Sequence, residues 1–251
     1  MMATNYFQVL MALLLAVLAL ILIFLKKIPI LGDAALGTVR SFVQLVAVGY
    51  ILEFIFNSKS IWLTVLSVLI MLIVAAYTSS KRAEKFKSGF RIAFISQSTG
   101  SLITIGLMLI LGIISPDARY IIPLAGMIIS NSMNASAITF NRIGSDLTGH
   151  RLAVETSLSL GKSWQEAARP FYKDAVKAGM ISILNFMETV GIVALPGAMT
   201  GMILAGISPL KAVLFQIIVA YMLLSATTIT TILSAQMSVR RFFSAADQLI
   251  Q

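Results

Sequence analysis

The sequence predicts an all-α integral membrane protein of about seven crossings, and three observations carry that reading. Of its 251 residues, 58% are hydrophobic and 12% charged, where a soluble domain carries about 25% charged residues; mean hydropathy is +0.93. Apolar runs long enough to cross about 30 Å of hydrocarbon as helix recur along the chain. A single long polar stretch, 151–179 (RLAVETSLSLGKSWQEAARPFYKDAVKAG), interrupts them. A hydrophobic chain that holds one such knob in water is most simply read as docking a soluble partner.

Composition also removes function classes. There is no cysteine, which excludes disulfides and thiolate metal sites, and the lone His150 excludes a histidine cluster. The net charge of +9 lies between apolar runs rather than on one soluble face, so it reads as a membrane topology signal and not as a nucleic-acid surface.

The expected spans are 6–25, 38–56, 60–79, 92–114, 119–141, 177–205 and 210–235. The first is no cleavable signal: it lacks a basic N-terminal region, is too long, and is followed by Lys26 and Lys27. With the N-terminus outside and the C-terminus inside, 16 of the 19 basic residues fall on the inner side, leaving only Lys59, Arg119 and Lys211 outside. The positive-inside rule selects that orientation and places the polar knob in the cytoplasm. Residues 1–251 are then expected to form one transmembrane domain of the inner (plasma) membrane, with 142–176 as its cytoplasmic loop.

Polar side chains inside hydrocarbon are costly, so they should face other helices or a watery path. Arg40 and Gln44 open the second span on one face. Gln97, Ser101 and Thr104 form a stripe in the fourth; Asn131, Asn134 and Asn141 form one in the fifth. Packing glue explains any single one of these, while their concentration in two adjacent spans suggests a lined path. Glu188 lies eleven residues in from Lys177, which is mid-bilayer in a straight helix, where a carboxylate costs on the order of 2.5 kcal/mol or more. Asn185 shares its face. A substrate contact is the functional reading of Glu188; a carboxylate buried for packing specificity is the alternative. Pro196 and Gly197 should kink or interrupt the sixth span. Met127, Met133, Met187, Met199 and Met202 gather around these stretches. Thioethers are soft metal ligands, but they are also ordinary core filler.

In the knob, a helix, a turn at Gly161 and a second short helix are expected. Leu158, Leu160, Trp164, Phe171 and Tyr172 offer apolar anchors for a partner, with Glu155 and Arg169 beside them. Gly161-Lys162-Ser163 resembles the end of a phosphate-binding loop, but Thr156 stands where its first glycine belongs and no strand precedes it. The chain is therefore expected to carry no ATP-binding machinery and to be no enzyme.

Glu155 to Gly161 (ETSLSLG) resembles the E-A-A-x-x-x-G loop of ABC importer permeases, with Thr156 and Ser157 in place of the alanines. Together with PLAGMIISNSMN (123–134) and LPGAMTGMILAG (195–206), it makes nearly the whole chain similar to the FetB-type permease family of iron exporters and plant aluminium-tolerance proteins. The resemblance implies a homodimer of permeases working by alternating access with a cytoplasmic ABC ATPase, which holds ATP-Mg. It implies export of iron or a related metal; the polar residues within the spans that are expected to line the path are Glu188, Asn185, Asn131, Asn134, Gln97 and Arg40. The knob residues expected to couple to the ATPase are Glu155, Leu158, Leu160, Gly161, Trp164 and Arg169, of which Glu155 to Gly161 carry the resemblance. An organic substrate such as a nucleotide sugar, or an ion-gradient-driven transporter using Glu188, are the alternatives.

Overall fold

The computed structural model describes residues 6–58, 60–82, 89–244 and 246–250. Of the basic residues used for the orientation, Lys59, Lys85 and Lys87 lie outside them. Among the described residues every regular element is a helix: α1 (Tyr6–Leu25), α2 (Leu31–Ser58), α3 (Ile61–Arg82), α4 (Gly89–Ile110), α5 (Ala118–Gly149), α6 (Arg151–Ser159), α7 (Trp164–Thr189), α8 (Gly197–Leu204) and α9 (Pro209–Arg240).

The chain divides into two units, Met1–Ser60 and Ile61–Gln251. In the first, α1 and α2 are joined through a turn in which Lys27 takes a positive φ of 52°. Both helices expose Leu, Val, Ile and Phe on every side, as suits a lipid surroundings. α2 starts at Leu31, earlier than the expected 38, so Arg40 lies well inside the helix rather than at its mouth.

In the second unit α5 and α9, each of 32 residues, form the centre; α3, α4 and α7 pack on α5, and α4, α7 and α8 on α9. Asp117 caps α5, its side chain accepting from the Arg119 amide at 2.8 Å. Lipid gives helices no hydrophobic reason to associate, so close backbone approach and interhelical hydrogen bonds must do it. The seam between α4, α5 and α9 is built this way. Ser234 donates to Ser96 Oγ at 2.8 Å, Thr230 to Ser132 Oγ at 3.2 Å, and Ser136 and Ser234 share a bond at 3.2 Å. Two glycines set the spacing, Gly100 of α4 against α9 and Gly179 of α7 against α5 and α9. A Cβ on Gly100 would run into the Thr230 hydroxyl and the Ala226 carbonyl; one on Gly179 would meet Thr139 and Thr231.

Among the described residues five helices are long and apolar enough to cross a membrane: α2, α3, α4, α5 and α9. In α1 the qualifying apolar run covers Met11–Leu25. The sixth expected span, 177–205, is not one helix. α7 begins far upstream at Trp164 and stops at Thr189. From Lys177 to that point an α-helix rises only about 18 Å, short of the ~30 Å of hydrocarbon. The break opens before Pro196. The Thr189 carbonyl is taken by the amides of Ile192, Val193 and Ala194 at 3.2, 2.9 and 3.3 Å, and Gly191 turns at φ +85°. Pro196 then stands at the N-cap of the short α8. The second helix of the knob is accordingly not short; it continues into the membrane-side part of α7.

At the α6 end of the bundle, Phe140, Ile143, Leu147, Val154, Ala167, Ala168, Phe242 and Phe243 close an apolar core. The residues after α9 fold back into it: Phe243 and Leu249 pair as an isolated antiparallel bridge, and the Ile250 amide donates to the Phe242 carbonyl at 2.8 Å.

Candidate transport path and docking corner

α5 carries the most informative surface. Every other helix expected to enter the bilayer leaves large apolar side chains exposed: Leu102 and Ile110 on α4, Ile181 and Leu184 on α7, Leu214 and Tyr221 on α9. Between Ile121 and Gly149, α5 exposes none. Its open side is instead Pro123, Ser130, Asn134, Asn141 and Arg142, with half-buried Gly126, Met127 and Asn131 beside them. Residues spaced by three, four and seven share a helix face, so these make one continuous stripe. Asn131 is partly tied down, its Nδ2 donating to the Met127 carbonyl at 2.9 Å. Past the expected end at 141, Arg142 pairs with Asp146 at 2.7 Å within the helix.

The other expected path residues fall in different settings. Gln97 is fully buried, its Nε2 donating to Ser79 Oγ on α3 at 3.0 Å. Ser101 and Thr104 are buried with it, and Gln97 Oε1 and both hydroxyls find no hydrogen-bond partner among the described residues. Asn185 and Glu188 are exposed on α7. Glu188 is the penultimate residue of that helix, at the lip of the break rather than inside a straight span. Arg40 belongs to the first unit, where it is exposed. At the break, Met187, Gly191, Leu195, Met199, Gln216 and Tyr221 line a cavity of about 440 Å³. Pro196 and Gly197 sit at the turn into α8. Among the described residues no three His, Asp or Glu side chains come together as a metal site.

The corner between α6 and α7 turns at Gly161, whose φ of +84° only glycine adopts without strain. Ser163 caps α7 in a reciprocal box with Glu166: Ser163 N donates to Glu166 Oε2 at 3.0 Å, and Glu166 N donates to Ser163 Oγ at 3.4 Å. The backbone amide of Ser163, then its hydroxyl, with Lys162 and Arg169 adding charge, hold the Glu166 carboxyl below its ordinary value. This carboxylate occupies the helix start at which the Gly-Lys-Ser run hinted at a phosphate.

The apolar side chains of this corner divide between two faces. Val154 is buried, and Leu158 and Trp164 pack against the core. Trp164 lies 5.8 Å from Phe243, centroid to centroid, with Arg240 over its ring. Leu160 is 76% exposed and Leu152, which the sequence reading passed over, 78%. With Thr156 between them they form one outward row at i, i+4 and i+8. Leu152 was hard to single out because the four α6-region leucine and valine positions look alike until the core shows which are used. Glu155 pairs with Arg151 at 2.7 Å on the exposed side, and Arg169 lines a cleft with Trp164, Tyr172 and Gln236.

A family model described as Uncharacterised protein family (UPF0014) matches residues 6–243. The chain belongs to the UPF0014 family. It is 34% identical over 240 residues to the "Probable iron export permease protein FetB" of Escherichia coli (strain K12), covering 96% of this chain and 93% of that protein. It is 36% identical over 238 residues to "Protein ALUMINUM SENSITIVE 3" of Arabidopsis thaliana, covering 95% and 87%. To the "UPF0014 membrane protein STAR2" of Oryza sativa subsp. japonica it is 36% identical over 232 residues, covering 92% and 81%. No solved structure matches. Membership of UPF0014 and the five long apolar helices make this a multi-pass membrane protein.

Proposed function

We propose that the chain is the membrane-spanning subunit of an ABC transporter, moving iron or a related metal ion outward while a separate ATPase subunit binds and hydrolyses ATP-Mg. The observation that carries the transport reading is the uncovered side of α5. A helix that crosses hydrocarbon and presents Ser130, Asn134 and Asn141 instead of leucines faces water or protein, because polar groups facing lipid go unsatisfied. Two copies set side by side would enclose such a face as a path. Asn131 and Asn134 on α5, with Asn185 and Glu188 at the end of α7, then supply neutral and anionic oxygens for a passing cation. The metal assignment follows the description of the Escherichia coli relative as a probable iron export permease.

Dependence on an ATPase rests on the α6 corner. Leu152 on the polar helix α6 and Leu160 at its C-cap are exposed and offer a row that a cleft on a soluble partner would fill. With the N-terminus outside and the C-terminus inside, that corner is cytoplasmic, where ATP is available. Motion of the partner would enter at α6 and pass along α7 directly into the break at Val190, since α7 is one helix from Trp164 to Thr189. Alternating access requires the partner to hold two arrangements of this corner with different affinity.

Affinity capture of the chain from its own membranes tests this. The captured complex is expected to hydrolyse ATP, with iron(II) raising the rate, and a Leu152→Asp/Leu160→Asp chain is expected to insert normally yet capture no ATPase. A membrane-inserted double variant that still captures a full complement of the ATPase would overturn the docking assignment.

A further inference from the structure

Where α9 ends, α7 and the residues after α9 leave a second cleft outside the path and away from the Leu152–Leu160 row. One part, about 280 Å³, is lined by Trp164, Gln165, Ala168, Arg169, Tyr172, Gln236 and Val239. The adjoining part, about 730 Å³, shares Trp164 and Gln236 with it and adds Arg240 and Arg241. Arg169 lines the first part and Arg240 and Arg241 the second, so the groove carries three guanidinium groups together with a Trp, a Tyr and two amides. We propose that this groove binds the phosphate group of an anionic membrane lipid.

Four observations support that ligand chemistry. α9 is long and apolar enough to cross a membrane, and its 32 residues rise about 48 Å, close to the ~40–45 Å of a bilayer with its headgroups, which sets Arg240 at its end near headgroup level. Trp and Tyr favour that level, since one end of each ring system is apolar and the other hydrogen-bonds. Arginine presents a planar fork that matches phosphate oxygens. Finally, the charge is available. Arg240 is partly engaged, stacked over Trp164 at 5.0 Å, with Nη1 donating to the Ser244 carbonyl at 3.2 Å and 4.0 Å from Asp247. Arg169 and Arg241 are in no ion pair among the described residues. Arg169 does feel the Glu166 carboxylate on its own helix, and the C-terminal end of the α9 dipole opposes an anion. Three cations face two carboxylates, Glu166 and Asp247, and a dipole end worth about half a charge, so the balance stays positive. Basic pockets between helices at a membrane boundary are where acidic headgroups are held.

The chain has two tryptophans, so Trp62→Phe leaves Trp164 as the reporter inside the groove. This variant, purified without an ATPase, goes into nanodiscs of phosphatidylcholine containing a small fraction of phosphatidylglycerol brominated near the headgroup end of its chains. A mirror sample carries the bromine on phosphatidylcholine instead. The phosphatidylglycerol sample should quench Trp164 roughly tenfold more per brominated lipid, and Arg169→Gln/Arg241→Gln should remove that preference. Millimolar inorganic phosphate should leave the quenching unchanged. Equal quenching by the two lipids would overturn the proposal, and this arm needs no arginine variant to fold. A preference that survives in a folded double variant, or that free phosphate abolishes, would overturn it too. Because no ATPase is present, failure here leaves the transport reading standing.

Discussion

Arg240, the last residue of α9, lies 5.0 Å over the ring of Trp164, the first residue of α7. That contact, with the Trp164–Phe243 pair beside it, ties the α6 corner to the far end of the central helix. Trp164 is thereby used inside the subunit. Trp164→Ala is expected to cost about 1–2 kcal/mol of stability, from one aromatic pair and one partly exposed cation–π contact. Leu160→Asp should leave the melting temperature in detergent unchanged while weakening ATPase capture. Thermal unfolding of the two variants side by side checks this; an unchanged melting temperature for Trp164→Ala would count against the packing role.

The glycines of the seam separate close approach from mere flexibility. Gly100→Ala and Gly179→Ala each push a methyl into a neighbouring helix, with the Ala226 and Ala135 carbonyls 3.0 and 3.2 Å away, and should destabilise by about 1–3 kcal/mol. Gly106→Ala on the same α4 meets nothing within 4 Å and should be neutral or gain up to about 1 kcal/mol from helix propensity. Melting curves of the three purified variants decide the point.

The start of α7 has a defined response to acid. Glu166 is held below its ordinary value, chiefly by the Ser163 amide, so its ionised form stabilises the folded cap. That contribution is fully present above the unfolded-state value and is lost as pH falls through the lower folded value. Amide exchange at residues 164–167, followed across an acid series, should stay slow until the pH is below the usual glutamate range. Ser163→Ala should move the onset of fast exchange to higher pH.

Much of this architecture was readable in the sequence, and the exceptions have physical causes. Length and hydropathy marked α2, α3, α4, α5 and α9, because a bilayer demands both at once. The interruption near Pro196 was visible for the same reason that proline and glycine loosen any helix. The continuity of α7 was not. Its first half is amphipathic, with Glu166, Arg169, Lys173 and Asp174, and its second half apolar, so no single period or window spans it. The burial of Phe242, Phe243 and Leu249 depends on partners in α5, α6 and α7, far away along the chain. Gln97 and Asn134 look equivalent as polar residues in adjacent spans. Only packing distinguishes them, since Gln97 is turned into the seam with α3 and Asn134 is left open.

That difference predicts different phenotypes. Asn134→Leu should leave the fold stable and cut transport by roughly tenfold or more, on the order of 1.4 kcal/mol of binding or barrier. Gln97→Leu should act on stability, by about 0.6 kcal/mol for the bond to Ser79. Transport rates normalised to the amount of folded protein separate the two.

The central claim is that this chain moves its cargo only when a separate ATPase drives it. Proteoliposomes holding the purified chain, with and without the ATPase subunit captured alongside it, and iron(II) on the cytoplasmic side of the chain, test it most directly. ATP-dependent movement of iron that requires both subunits and is lost with Leu152→Asp/Leu160→Asp is the predicted result. Movement by the chain alone under a proton gradient, unaffected by ATP, would contradict it.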